Sequence, residues 1–191
     1  TYQLDYNKQV YNNQIGYVFS KDKFQLYMSG AYETMVQKLD VDQGNVIDKR
    51  YNNFLPRIYS SYEYKKGHKI RFRYRKETRL PSSNEVTPIV NDFNPLYIRE
   101  GNPDLTPEKS DNIFVRIGSH DFKKATSFFS MIRYTKSTNA IVINRSIDDN
   151  YVQYSTYVNY GNRSSLFGHL NYSKKISKIS LEESLELFKL P

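Results

Sequence analysis

The chain has 191 residues, enough for one ordinary domain, and carries a formal net charge of +8 with a pI near 9.4. Only 38% of it is hydrophobic, and much of that is aromatic, with 18 Tyr, 11 Phe and no Trp. The absence of cysteine excludes a disulfide framework and a thiolate metal site, while the basic balance permits nucleic acid, anionic lipid or an anionic solute as partner.

No run is long and apolar enough for a membrane-spanning helix. The chain does not begin with Met, and its last apolar pattern runs almost to Pro191, so a fragment of a longer chain is expected. Alternation with period two predicts strands, because successive side chains in a strand point to opposite faces. Residues 11–19 form the first, with Ile15, Tyr17 and Phe19 on one face. After a polar turn at 20–23, residues 24–37 place Phe24, Leu26, Met28 and Tyr32 against Gln25, Ser29 and Glu33. Residues 39–53 are polar and read as a long loop. Pro56 opens a strand through Ile58, Ser60, Tyr62 and Tyr64, and Lys65-Lys66-Gly67-His68 is a tight turn.

The next strand, 69–76, is the most regular. Ile70, Phe72 and Tyr74 point one way; Arg71, Arg73 and Arg75 point the other. In a soluble sheet the apolar face would cover a core. In an outer-membrane barrel it would face lipid and the arginines a wet lumen. Residues 77–107, with five of the seven prolines, read as a long irregular loop, a feature usually tied to function. Pattern returns over 111–118, with Ile113, Val115 and Ile117 on one face, and over 128–135 beyond a turn at 121–124. A polar excursion over 139–150 is followed by a long or broken strand over 151–172, a basic turn at 173–178, and a last strand over 179–187. Leu181, Leu185 and Phe188 also fit helical spacing, but no helix is predicted. The result is an all-β chain of about eight strands in four hairpins, whose short turns alternate with long loops at 39–53, 77–107 and 139–150. One-sided long loops and strands of ten or more residues suit an antiparallel up-and-down transmembrane barrel better than a soluble meander.

The segment Gly101-Asn102-Pro103-Asp104-Leu105-Thr106-Pro107-Glu108 has its own physical reading: Pro103 and Pro107 stiffen a loop-to-strand junction, Asn102 before a proline is pushed out of the helical region, and Leu105 can anchor the loop. It resembles the Gly-Asn-Pro-x-Leu-x-Pro-Glu signature in the C-terminal barrel half of TonB-dependent outer-membrane receptors, and is most similar to the Bacteroidetes outer-membrane β-barrel family. Phe54-Leu55-Pro56, Arg79-Leu80-Pro81-Ser82 and Tyr160-Gly161-Asn162 through Gly168 resemble further elements of that family in the expected order, the last with Asn and Gly exchanged and the second interrupted by Leu80. The resemblance covers roughly residues 11–190. It implies a bacterial outer-membrane location, a barrel of about 22 strands around a plug, and solute uptake driven by an energy-transducing TonB complex. Its partners would be outer-membrane lipid, the remainder of the barrel, the plug and a surface lipoprotein. The plug and its coupling box are outside this sequence, so transport would belong to a parent protein.

The arginine row reads either as a lumen ladder that attracts anionic solute or acidic plug residues, or as a solvated strand face balanced by cross-strand carboxylates such as Glu63. His68, His120 and His169 are scattered and Asp148-Asp149 sits in a predicted loop, so neither a metal site nor a cofactor is expected. No nucleophile elbow or phosphate loop is present, and no enzymatic activity is expected. Three functions remain open: a segment of a TonB-dependent receptor, a structural or assembly-scaffold barrel that moves no solute, and a soluble basic β-domain binding polyanion or nucleic acid. Strand length argues against the third, so no nucleic acid is expected.

Overall fold

The computed structural model describes residues 3–42, 44–121, 123–176 and 179–189, apart from the side chains of 44, 45, 91–93 and 189. Eight long strands run antiparallel in one sheet: β1 (Leu4–Lys21), β2 (Phe24–Val41), β3 (Gly44–Lys65), β4 (His68–Arg79), β7 (Glu108–Asp121), β8 (Thr126–Ile147), β9 (Gln153–Ile176) and β10 (Ile179–Lys189). Between β4 and β7 the chain makes an excursion holding one helical turn, α1 (Ser83–Val86), and two short strands, β5 (Asn91–Asn94) and β6 (Tyr97–Glu100). β6 pairs in parallel with the start of β9. Each long strand pairs with its neighbour in order, and β1 and β10 each have a single partner among the described residues, so the sheet is a partial barrel with two open edges.

The register carries the alternation intact from strand to strand. One row across the sheet runs Phe19, Leu26, Ser60, Phe72, Val115, Ile132, Gly168 and Leu187. The rows on either side hold Tyr17, Met28, Ile58, Tyr74, Ile113, Tyr134 and Leu166, and Phe24, Tyr62, Ile70, Ile117 and Leu170. This belt lies on the open side of the sheet, where Ile15 is 85% and Leu185 64% exposed. The sheltered side instead buries Ser29, Glu33, Gln37, Asn53, Ser61 and Ser137. A soluble sheet hides its apolar face; this one presents it, as a strand bounded by lipid on one side and a polar lumen on the other must. Lys76, Asp111 and Lys136 lie side by side on the belt side one step beyond Tyr74, Ile113 and Tyr134, and mark where it meets the polar boundary.

The predicted loops at 39–53 and 139–150 are corrected by the structure. Both are mostly strand: β2 and β3 continue to a tight turn around Asp42, and β8 continues to Ile147 before a turn at 148–152. Residue 43 of the predicted loop at 39–53, Phe122 of the predicted turn at 121–124 and residues 177–178 of the predicted turn at 173–178 lie outside the described residues. Strands of 22 residues (β3, β8) and 24 residues (β9) are about twice what a tilted strand needs to cross a bilayer. Their far ends therefore stand in water, lose the one-sided apolar pattern, and read as loop by composition. The helical turn α1 was also unexpected; its signal is the spacing of Ser82 and Glu85, whose carboxylate Oε2 accepts from the Ser82 N–H at 2.7 Å.

β4 and β7 end at Arg79 and Glu108, well short of the β2–β3 and β8–β9 hairpins. The excursion fills the notch this leaves. Val86 and Leu105 from the excursion pack with Leu39 and Ile47 on one side and Ile141 and Tyr157 on the other, with Tyr6 and Val41 at the margin.

Candidate functional site

The motif segment is the latch that holds the excursion in the notch. Gly101 N–H donates to the Thr87 carbonyl at 3.0 Å, and any side chain at 101 would put a Cβ 2.4 Å from that same oxygen, so only glycine fits. Asn102 uses every group it has. Its N–H donates to Glu85 O at 2.8 Å, its Nδ2 to Tyr157 O at 2.9 Å, and its Oδ1 accepts from Asp104 N–H at 2.9 Å. Its carbonyl accepts from Leu105 N–H, and the next carbonyl, of Pro103, accepts from Lys49 Nζ at 2.9 Å. Leu105, 1% exposed, is the apolar peg.

Pro107 carries the chain into β7, where Glu108 sits opposite Arg79 in the ladder. Glu108 is 8% exposed; Oε2 accepts from Arg79 Nη2 at 3.2 Å and from the Ile141 N–H at 3.4 Å, and Oε1 lies 3.9 Å from Arg163 Nη2. The second nitrogen of Arg79 binds Glu85 at 2.9 Å. Burial works against the charge on Glu85, but the hydrogen bonds from Ser82 and Arg79 and the Arg79 charge outweigh it, so its carboxyl stays below the ordinary carboxylate range.

A second clamp comes from Asn159. Its Oδ1 accepts from Thr106 N–H at 2.8 Å, and its Nδ2 donates to the Thr106 carbonyl at 3.0 Å and the Asn139 carbonyl at 2.9 Å. Asn139 and Gly161 face each other between the paired residues Thr138–Asn162 and Ala140–Tyr160, both with positive φ, 54° and 23°. This kink in both strands brings Asn159 over the motif. Lys49 and Arg163 were missed, because nothing local marks a side chain whose partner is more than fifty residues away; Asn139 was missed because its partners lie 20 and 33 residues away, and Glu85 although its spacing from Ser82 is a local signal.

Arg71, Arg73 and Arg75 lie elsewhere, on the sheltered side of the belt region. They do not touch the latch. Arg71 is flanked across the ladder by Ser61 and Arg116, Arg73 by Tyr59 and Phe114, and Arg75 by Arg57 and Asn112. Glu63, the expected counter-charge, sits opposite Lys69 instead. Among the described residues Arg75 has one carboxylate in ion-pair range, Glu77, at 3.3 Å. Arg73 lies 6.0 Å from the Tyr59 ring centroid and 5.8 Å from that of Phe114, and Arg116 lies 4.6 Å from that of Phe129. Among the described residues no group of His, Asp and Glu could hold a metal ion.

The fold resembles solved outer-membrane receptors. It overlays the Serratia marcescens hemophore receptor HasR, solved in complex with its hemophore HasA and heme, with a TM-score of 0.71 at 13% identity, over 95% of this chain and 34% of that one. The FrpB iron transporter from Neisseria meningitidis gives 0.61 at 12% identity over 97% and 27%, and the siderophore receptor PirA from Pseudomonas aeruginosa gives 0.61 at 10% identity over 98% and 44%. The chain thus spans between a quarter and a half of the length of these receptors. No curated protein matches it closely enough to count as a relative. The sequence matches the outer membrane protein beta-barrel family over residues 1–188. With the exposed apolar belt and the polar sheltered face, that match places the chain in the bacterial outer membrane, and the chain belongs to the outer membrane protein beta-barrel family.

Proposed function

We propose that the chain is one wall of a larger barrel that takes up a solute across the outer membrane by the TonB-dependent receptor route. The observation that carries this reading is the open sheet: β1 and β10 lie at opposite ends of eight long strands, each with one edge unpaired among the described residues. An edge in hydrocarbon leaves a row of backbone groups unsatisfied, so further strands must complete it. The receptors whose fold it shares carry heme, iron and siderophore cargo, which makes an iron chelate the first solute to try. Energy input from a TonB complex and capture by a surface lipoprotein belong to the same proposal, as does a plug in the lumen.

Two measurements test it. The chain contains no cysteine, so spin labels at Asn13→Cys and Ser184→Cys report cleanly on the two edges. Labels separated by the whole sheet should stand roughly 20 Å apart or more, against about 5 Å for adjacent strands. The short distance would mean a closed small barrel with an anchoring or scaffold role. Whole-cell uptake of a labelled ferric siderophore and of heme should then fall when the protein is deleted and when a protonophore collapses the driving force. Uptake indifferent to both removes transport of iron chelates.

A further inference from the structure

We infer that the four short turns form a rigid basic ledge that selects anionic phospholipid headgroups in the periplasmic leaflet. The inference rests on the barrel reading, which gives the belt its lipid and puts the short turns at the periplasmic rim. It goes beyond lipid as the solvent of the belt, because it assigns one rim a choice among headgroups.

The turns are joined into one piece. The Glu63 N–H donates to the Lys23 carbonyl at 2.9 Å, which ties the β1–β2 turn to the β3–β4 hairpin. The His120 N–H donates to the Gly67 carbonyl at 2.8 Å and the Lys175 N–H to the Ala125 carbonyl at 3.0 Å, which link the β7–β8 and β9–β10 turns in the same way. Gly67 has a φ of +81°, and a side chain there would put a Cβ 2.5 Å from the His120 carbonyl oxygen, so this seam closes only around glycine. Strands lie about 4.8 Å apart, so successive turns recur about every 10 Å along the ledge.

Each turn brings two lysines to it. Lys21 and Lys23 flank the first, and Lys65 and Lys66 open the second. Lys123 and Lys124 lie in the third, and Lys174 and Lys175 enter the fourth. Among the described residues none of these lysines has a carboxylate in ion-pair range. Asp121 turns its Oδ1 back onto the N–H groups of Lys123 and Lys124. The far turns are the reverse: the β2–β3 turn carries Asp40 and Asp42, the β8–β9 turn carries Asp148 and Asp149, and neither 39–48 nor 147–152 contains a lysine or arginine. Like charges on a fixed ledge repel unless an anionic surface meets them.

The position of the cations identifies that surface. Lys21 is paired with Phe24 on the belt side, and Lys174 lies on the same side one step beyond Tyr172. Lys65 is paired with His68, whose ring centroid is 5.6 Å from that of Tyr64. Tyr62 and Tyr64 are 47% and 45% exposed. Exposed rings with lysines just outside them are the arrangement of a membrane interface: the rings sit at headgroup level, and the lysine stems run along apolar surface to carry charge to the phosphates. A polymer beneath the membrane would meet the turn tips and leave these belt-side lysines unused.

The test reconstitutes the full 191-residue chain in phosphatidylcholine vesicles with a trace of spin-labelled phosphatidylglycerol or spin-labelled phosphatidylcholine. Electron paramagnetic resonance reads the motionally restricted fraction of each label. The inference predicts that phosphatidylglycerol associates about threefold or more strongly than phosphatidylcholine, with the preference falling toward parity in about 1 M salt. Lys21→Gln, Lys65→Gln and Lys174→Gln together should remove most of the preference. The same loss of charge at the other boundary of the belt, Lys76→Gln with Lys109→Gln and Lys136→Gln, should keep it. Equal restriction of the phosphatidylcholine label in all three proteins shows that the belt has folded. Equal fractions of the two labels in the parent, a preference that survives the ledge variant, or one lost equally in the boundary variant overturns the inference. So does loss of the preference to soluble cell-wall fragments at the concentration of the anionic lipid, because the ledge would then serve a polymer. No restricted fraction for either label would instead sink the barrel reading.

Discussion

The same strands obey opposite rules at their two ends. In the belt, the side of β2 that turns inward carries Ser29, Glu33 and Gln37, and the side that turns outward carries Leu26, Met28 and Tyr32. Two residues on from Gln37, the inward side becomes Leu39, packed with Ile47, Val86, Leu105, Ile141 and Tyr157. β8 makes the same change between Ser137 and Ile141. The backbone continues through both regions; what changes is the solvent. Where lipid bathes the outside, apolar side chains gain nothing by hiding. Where water does, they bury beneath the excursion. The molecule is thus an inverted sheet below and a small conventional core above, joined at the level of Arg79 and Glu108.

The comparison can be broken first at the upper core. Leu105→Ala should cost about 2–5 kcal/mol of local stability, as truncation of a buried leucine does. Hydrogen exchange should show the excursion over 80–107 opening while β4 and β7 in the belt keep their protection; loss of protection throughout would mean that the two regions are one. Below, the opposite substitution is the informative one. Val115→Arg, at mid-belt, should cost about 2–4 kcal/mol when folding is titrated into lipid vesicles. The same change at Asn112, on the lumen side, should cost far less.

How much of this is readable in the sequence follows from the same contrast. Across the belt, lipid and lumen stamp period two on every strand, so Ile70, Phe72 and Tyr74 against Arg71, Arg73 and Arg75 declare both strand and face. The projecting ends carry no such stamp: water wets them, and segments such as 48–53 are polar on both sides, so composition calls for a loop where the backbone makes a hairpin. The motif at 101–108 was visible as a stiff junction. Its meaning was not, because Asn159 lies 53 residues from Thr106 and Lys49 lies 54 from Pro103. The inward arginines were visible too, but register alone reveals that their neighbours are further arginines and not Glu63.

Two smaller effects sharpen the account of the latch. Asn159→Ala removes the bonds to both Thr106 and Asn139 and should lower excursion stability by about 1–3 kcal/mol, read as faster proteolysis near Thr106. Glu85 gives a pH signature. Its carboxyl is held below the ordinary range, so its contribution is complete above the unfolded carboxylate value and is lost as pH falls through the lowered folded value. Excursion protection should be flat through neutral pH and fall in acid. In Glu85→Gln it should be lower at neutral pH and lose that part of its acid dependence.

The central claim is that the exposed apolar belt faces lipid and the arginine side faces water. Nitroxide labels placed one at a time at residues 112–117 of β7, in lipid bilayers, test it most directly through collision with oxygen and with a water-soluble nickel chelate. The account predicts alternation with period two: oxygen accessibility high at Ile113, Val115 and Ile117, and nickel accessibility high at Asn112, Phe114 and Arg116, unless an occupant of the lumen shields them from both. Nickel access at Ile113, Val115 and Ile117, or oxygen maxima at the even positions, would contradict it.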